Sequence, residues 1–132
     1  MTTTTASPTP EVISGTVTEY LHRISTSTSE HIAELYTDTA TLEDPVGSEP
    51  THGRAAIAAF YRALDGVHTD AELLTLRIAG DTAAFHFRVR TTLPDQVIVV
   101  EPIDVMTFDA AGAITSMRAV WSPTDIVSEP QH

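Results

Sequence analysis

The sequence contains no cysteine and no lysine. Without cysteine there is no disulfide, no thiolate nucleophile and no Cys-ligated metal. All seven cationic side chains are arginines, set against eighteen acidic ones, for a formal net charge of -11. That balance repels polyanions, so nucleic acid and anionic membrane surfaces are poor partners. No apolar run approaches the ~20 residues of a membrane span. The opening MTTTTASPTP has neither a cationic side chain nor an apolar centre, so it does not read as a secretory signal, and a cytoplasmic setting is expected. The six histidines show no compact ligand spacing. There is no phosphate loop, dinucleotide fingerprint or nucleophile elbow either, so neither metal nor cofactor is expected.

What is present is one domain's worth of chain: 132 residues, 42% hydrophobic and 19% charged. Residues 1–8 are a polar, Thr-rich stretch with nothing to bury, expected to be a disordered tail, and 9–130 read as a single domain. Thr9 reads as an N-cap with Pro10 at the first helical position. Ile13, Val17, Tyr20, Leu21 and Ile24 keep helical spacing, so a first helix is expected over 10–25. STSE at 27–30 has the capping-box pattern and should open a short second helix through His31, Ile32, Leu35 and Tyr36. ATLEDPVGSEP is a short strand broken by Pro45 and Gly47, and Gly53 precedes a third helix on which Ile57, Phe60, Tyr61 and Leu64 share a face.

From residue 70 the period becomes two. Leu74, Leu76 and Ile78 alternate with polar positions, and Phe85, Phe87 and Val89 oppose His86, Arg88 and Arg90. One long strand is expected over 96–108, and DAAG turns into another, AITSMRAVWSP. Helices first and an antiparallel sheet afterwards give an α+β fold. The 96–108 strand is apolar on both faces, and the helices cover only one, so a homodimer through the sheet is expected.

Two aspartates, three tyrosines and a tryptophan are the candidates to carry chemistry. Asp104 stands in the apolar run EPIDVMTF. It either bonds to a backbone N–H or an arginine near a bulge, or faces a dry pocket and keeps its proton. Asp44, at a strand end before a Pro-Gly loop, suits a turn-capping role or a general base; Glu43 should face the other way into solvent. Tyr20, Tyr36 and Tyr61 are expected on apolar helix faces, as core side chains or as hydroxyls that meet. Trp121 alternates in phase with Met117 and Ala119, which suits core packing.

Several ordered segments together resemble the ketosteroid isomerases, the steroid Δ5-isomerases of the nuclear transport factor 2-like superfamily. These are EYLHRI, then YTDTATLEDPVGSEPTHGRAAIAAFYRAL, then PIDVMTFDAAGAITSMRAVWS, and the likeness covers about residues 11–130. The resemblance implies a cone-shaped, curved sheet wrapped over three helices around an apolar pocket, usually dimeric. It matches Asp44 to the catalytic base, and Tyr20 and Asp104 to the two oxyanion donors. Tyr61 and Tyr36 match the supporting network, and Trp121 the aromatic beside the base. Phe85, Phe87, Val100, Met106, Met117 and Ala119 then form an apolar bed for an uncharged ketosteroid. Ketosteroid isomerases are themselves the standard case of a carboxylic acid held neutral to donate a hydrogen bond. STSTSE replaces a Gly-Asp-containing turn often found between the first two helices. Two other readings use the same fold: a non-catalytic steroid or lipid binder, and a polyketide-cyclase-like enzyme. An epoxide hydrolase would need several polar groups to hold a water, and the sequence shows no such cluster.

Overall fold

The computed structural model describes residues 7–130. Most of the expected tail lies outside that range. Pro8, at its end, is buried, so it belongs to the folded body. Helix α1 spans Pro10–Thr26, with the Thr9 hydroxyl accepting from the Val12 N–H, and buries Ile13, Val17, Tyr20, Leu21 and Ile24 along one stripe. Helix α2 is only Ser29–Ala33, and its N-cap is Thr28 with no side-chain cap. The expected local capping box does not form. Asp65, far along the chain, takes its place by accepting from the Ser29 N–H at 2.9 Å and the Ser29 hydroxyl at 3.0 Å. Helix α3 spans Arg54–Tyr61 and runs into a 3₁₀ turn over Arg62–Leu64.

Strand β1 begins at Tyr36 and runs to Glu43, so Tyr36 sits on a strand and not on the second helix. Thr37, Thr39 and Thr41 alternate with inward Ala40 and Leu42, a β-branched pattern that favours the strand once it can pair. β2 is Thr51–His52, β3 His68–Ala79 and β4 Thr82–Thr92. The single strand expected over 96–108 is two, β5 (Gln96–Val100) and β6 (Ile103–Phe108). The break at Glu101 and Pro102 lets β4 pair β6 along its first half and β5 along its second. β7 spans Ile114–Val120, and β8, Val127–Pro130, lies along β5.

The sheet runs β2-β1-β7-β6-β4-β5-β8, with β3 on the other side of β4. All pairs are antiparallel except β1 with β7. A bulge between Leu73 and Thr75 shifts the parity of β3. Inward positions pass from Thr69 and Ala71 to Leu74, Leu76 and Ile78, which keeps the strand against the core as the sheet curves. The helices cover the concave face, burying Tyr20, Tyr36, Ile57, Phe85, Met106 and Met117 among others. The convex face carries ion pairs, Arg88 with Glu101 and Arg118 with Glu43, beside exposed Ile103 and Val120.

Candidate active site

Three tyrosines from three elements meet inside the cone. Tyr61 Oη lies 3.0 Å from Tyr20 Oη and 2.7 Å from Tyr36 Oη. Burial pushes all three phenols well above their ordinary range, so they are neutral hydroxyls. Each hydroxyl has one proton to give. If Tyr36 donates to Tyr61 and Tyr61 to Tyr20, the Tyr20 O–H is left to point outward.

Asp104 sits across β4 and β6 from Phe85, whose ring meets Tyr20 edge-on at 6.3 Å. It is 1% exposed, and its Oδ1 has no hydrogen-bond partner among the described residues. Neither backbone nor arginine reaches it there. Burial first, and then the charge of Asp44, push its carboxyl well above the usual range.

Asp44 follows the last residue of β1. Its position is fixed on both flanks: Glu43 bonds Arg118 at 2.9 Å on the convex face, and the Val46 N–H donates to the Ala119 carbonyl at 2.8 Å. Glu43 is thus on the opposite face as expected, but ion-paired and half-buried. The Trp121 indole N–H donates to Asp44 Oδ1 at 2.6 Å, so Trp121 is more than a packing residue. Burial raises the Asp44 carboxyl and the indole bond opposes it. Deeper burial pushes Asp104 further than Asp44, and among the described residues only Asp44 has a donor to hold its charge, so of the two carboxyls Asp44 ionises first.

These groups line a cavity of about 280 Å³. Its wall includes the expected Phe87, Val100, Ala119 and Trp121. Phe85, Met106 and Met117 do not line it; each is at most 1% exposed and packs in the core beneath. Tyr36 likewise stands behind Tyr61. Ile24, Phe60, Ala63, Leu64, Val89 and Pro102 complete the wall and were missed. Phe60 and Leu64 were legible as one face of α3, but nothing local separates a core face from a pocket face. Among the described residues, no group of three or more His, Asp or Glu side chains is placed to hold a metal ion, and no helix is long and apolar enough to cross a membrane.

A family model for the SnoaL-like domain matches residues 17–117, most of the chain. The chain belongs to the SnoaL-like family. The chain is 52% identical over 118 residues to a steroid Delta-isomerase of Nocardioides simplex, covering 89% of this chain and 96% of that protein. It is 32% identical over 121 residues to the epoxide hydrolase LasB of Streptomyces lasalocidi, matching 40% of that longer protein and 81% of this one. Among solved structures, the epoxide hydrolase/cyclase-like enzyme SalBIII superposes with a TM-score of 0.81 at 29% identity, covering 88% of this chain and 95% of that one. The SnoaL-like cone, with its helices on the concave face, accounts for the α+β architecture.

Proposed function

We propose that the protein is a steroid Δ-isomerase that brings the double bond of a Δ5-3-ketosteroid into conjugation with the ketone. The observation that carries this reading is the placement of two unlike carboxyls on one apolar cavity: Asp44, held by Trp121, and buried Asp104 beside the tyrosine chain, its Oδ1 without a partner among the described residues. The near full-length likeness to a steroid Delta-isomerase supports it.

In the proposed reaction the ketone oxygen accepts from the Tyr20 and Asp104 hydroxyls. The Asp44 carboxylate takes the proton from the carbon between the ketone and the double bond. The C–H pair forms a new C=C bond and the carbonyl π pair moves to oxygen, giving a dienolate. Preorganised donors in a water-poor site stabilise that charge far better than water would. Asp44 then returns the same proton two carbons further along, and the enone is conjugated. Tyr36 and Tyr61 hold Tyr20 as a donor, while Phe87, Val100, Ala119 and Trp121 pack the rings. No cofactor enters the sequence.

The proposal extends to a cytoplasmic homodimer. Exposed Ile103 and Val120 on the convex face support the association, and sedimentation at micromolar concentration checks it. A second reading, acid–base opening of an epoxide, draws on the LasB and SalBIII likenesses and the same carboxyl pair. It leaves the tyrosine chain without a task. Ultraviolet absorbance of the conjugated enone, followed with a Δ5-3-ketosteroid, separates the two. Rapid growth of the band supports the isomerase; no growth, with the steroid shown to bind, rejects it.

A further inference from the structure

Two buried side-chain oxygens have no hydrogen-bond partner among the described residues: Asp104 Oδ1 and Thr69 Oγ1. The proposed reaction uses the first and leaves the second unexplained. Both residues are 1% exposed, and they lie at opposite ends of one sheet face. Successive inward rows run along β4. Phe85 is opposite Asp104; Val89 is opposite Val100 and Ala71; Thr91 is opposite Ile98 and Thr69. Phe87, Val89, Val100 and Pro102 are cavity wall, so the face is apolar until it reaches a row of threonines.

At strand spacing, the step from Phe85 to Val89 is about 13 Å and the threonine row lies one pleat repeat further. The fused rings of a steroid held by its ketone at Asp104 span the first of these distances. Its ring D end then comes to Val89 and Val100, and Thr69, which does not itself line the cavity, stands one inward row beyond them. An outer groove of about 490 Å³ adjoins the cavity, the two sharing Ile24 and Leu64 as a common wall, and His68, next to Thr69, lines that groove.

We infer that Thr69 forms a polar end to the steroid site, its hydroxyl hydrogen-bonding an oxygen carried on ring D of the substrate. This rests on the steroid reading of the cavity. A threonine hydroxyl both donates and accepts, so a ketone and an alcohol are equally served. Valine has the same shape without the polar atom, and a buried hydroxyl with no partner is a cost that valine would remove. A buried hydroxyl without a partner among the described residues is accounted for by a ligand that satisfies it.

The test titrates a phenolic steroid bearing a ring D ketone, and its counterpart lacking that oxygen, into the parent, Thr69→Val and Thr69→Ser. Turnover of a Δ5-3-ketosteroid by the parent is measured alongside. The parent should favour the ketone-bearing ligand by about tenfold in Kd, the size of one neutral hydrogen bond. Thr69→Ser should keep most of that preference, and Thr69→Val should bring the ratio close to one with no loss of Tm. A parent ratio near one, or a ratio that survives Thr69→Val, overturns the inference. So does a clear fall in Tm confined to Thr69→Val, because the hydroxyl would then already be bound within the protein. A ratio that depends on Thr69 in a protein without turnover would sink the isomerase and leave the subsite standing.

Discussion

Asp44 stands half-buried at the cavity rim, with one carboxyl oxygen accepting from the Trp121 indole at 2.6 Å. Asp104 lies in the cavity floor, 1% exposed, with no partner for its Oδ1 among the described residues. Burial raises the carboxyl at both places, but only the rim supplies a donor that favours the charged form. The same side chain is thereby prepared for opposite work, one to accept a proton and one to offer it. Environment assigns the roles, and exchanging the environments should exchange the chemistry.

The strongest way to break the comparison is Asp44→Asn. It keeps the shape and removes the base, so turnover should fall by roughly two to four orders of magnitude while a phenolic steroid still binds. Activity within a few-fold of the parent would reject Asp44 as base. Next come Asp104→Ala and Tyr20→Phe, each removing one donor to the dienolate oxygen. Each should lower kcat by about two to three orders of magnitude with a smaller change in KM.

Asp104→Asn sharpens the contrast through stability. At low pH both the folded and unfolded chains carry a protonated Asp104, and burial brings no ionisation penalty. As pH rises past the ordinary carboxylate value, the unfolded chain ionises while the folded one holds its proton. Folding stability is therefore lost progressively up to the raised folded value. Asp104→Asn removes that loss, so its Tm should decline less between pH 5 and 8 than the parent's.

Trp121→Phe should give the smallest effect. Without the indole donor, burial of Asp44 is unopposed, and the acid limb of kcat/KM should move to higher pH. The parent profile should also fall on acidification without any histidine. A limb that follows a histidine substitution would overturn both statements.

Much of this arrangement was legible in the chain, and the failures are instructive. The spacing of Ile13, Val17, Tyr20 and Ile24 located α1 to within a residue at either end, because an amphipathic stripe with Thr9 and Pro10 before it has few alternatives. Alternation likewise placed Val100 with Asp104 on one face of their expected strand, and Phe87 with Val89 on one face of theirs. Tyr36 was misplaced onto a helix because residues 31–36 fit a short helical stripe, and only pairing with β7 decides for the strand. The STSE box misled because Asp65 supplies a better cap from 36 residues away. Phe85, Met106 and Met117 had the right parity for the pocket and the wrong depth.

The sequence by itself determined the side-chain inventory, the faces of β4, β6 and β7, and a charge balance that repels polyanions. Those follow from local periodicity and from charge, which need no knowledge of what packs across. Only the tertiary structure decided that three tyrosine hydroxyls meet, that Trp121 donates to Asp44 and that Asp104 Oδ1 and Thr69 Oγ1 have no partner among the described residues. Depth, convergence and the absence of a partner are properties of contacts between distant segments. A repeating pattern along one segment carries no information about them.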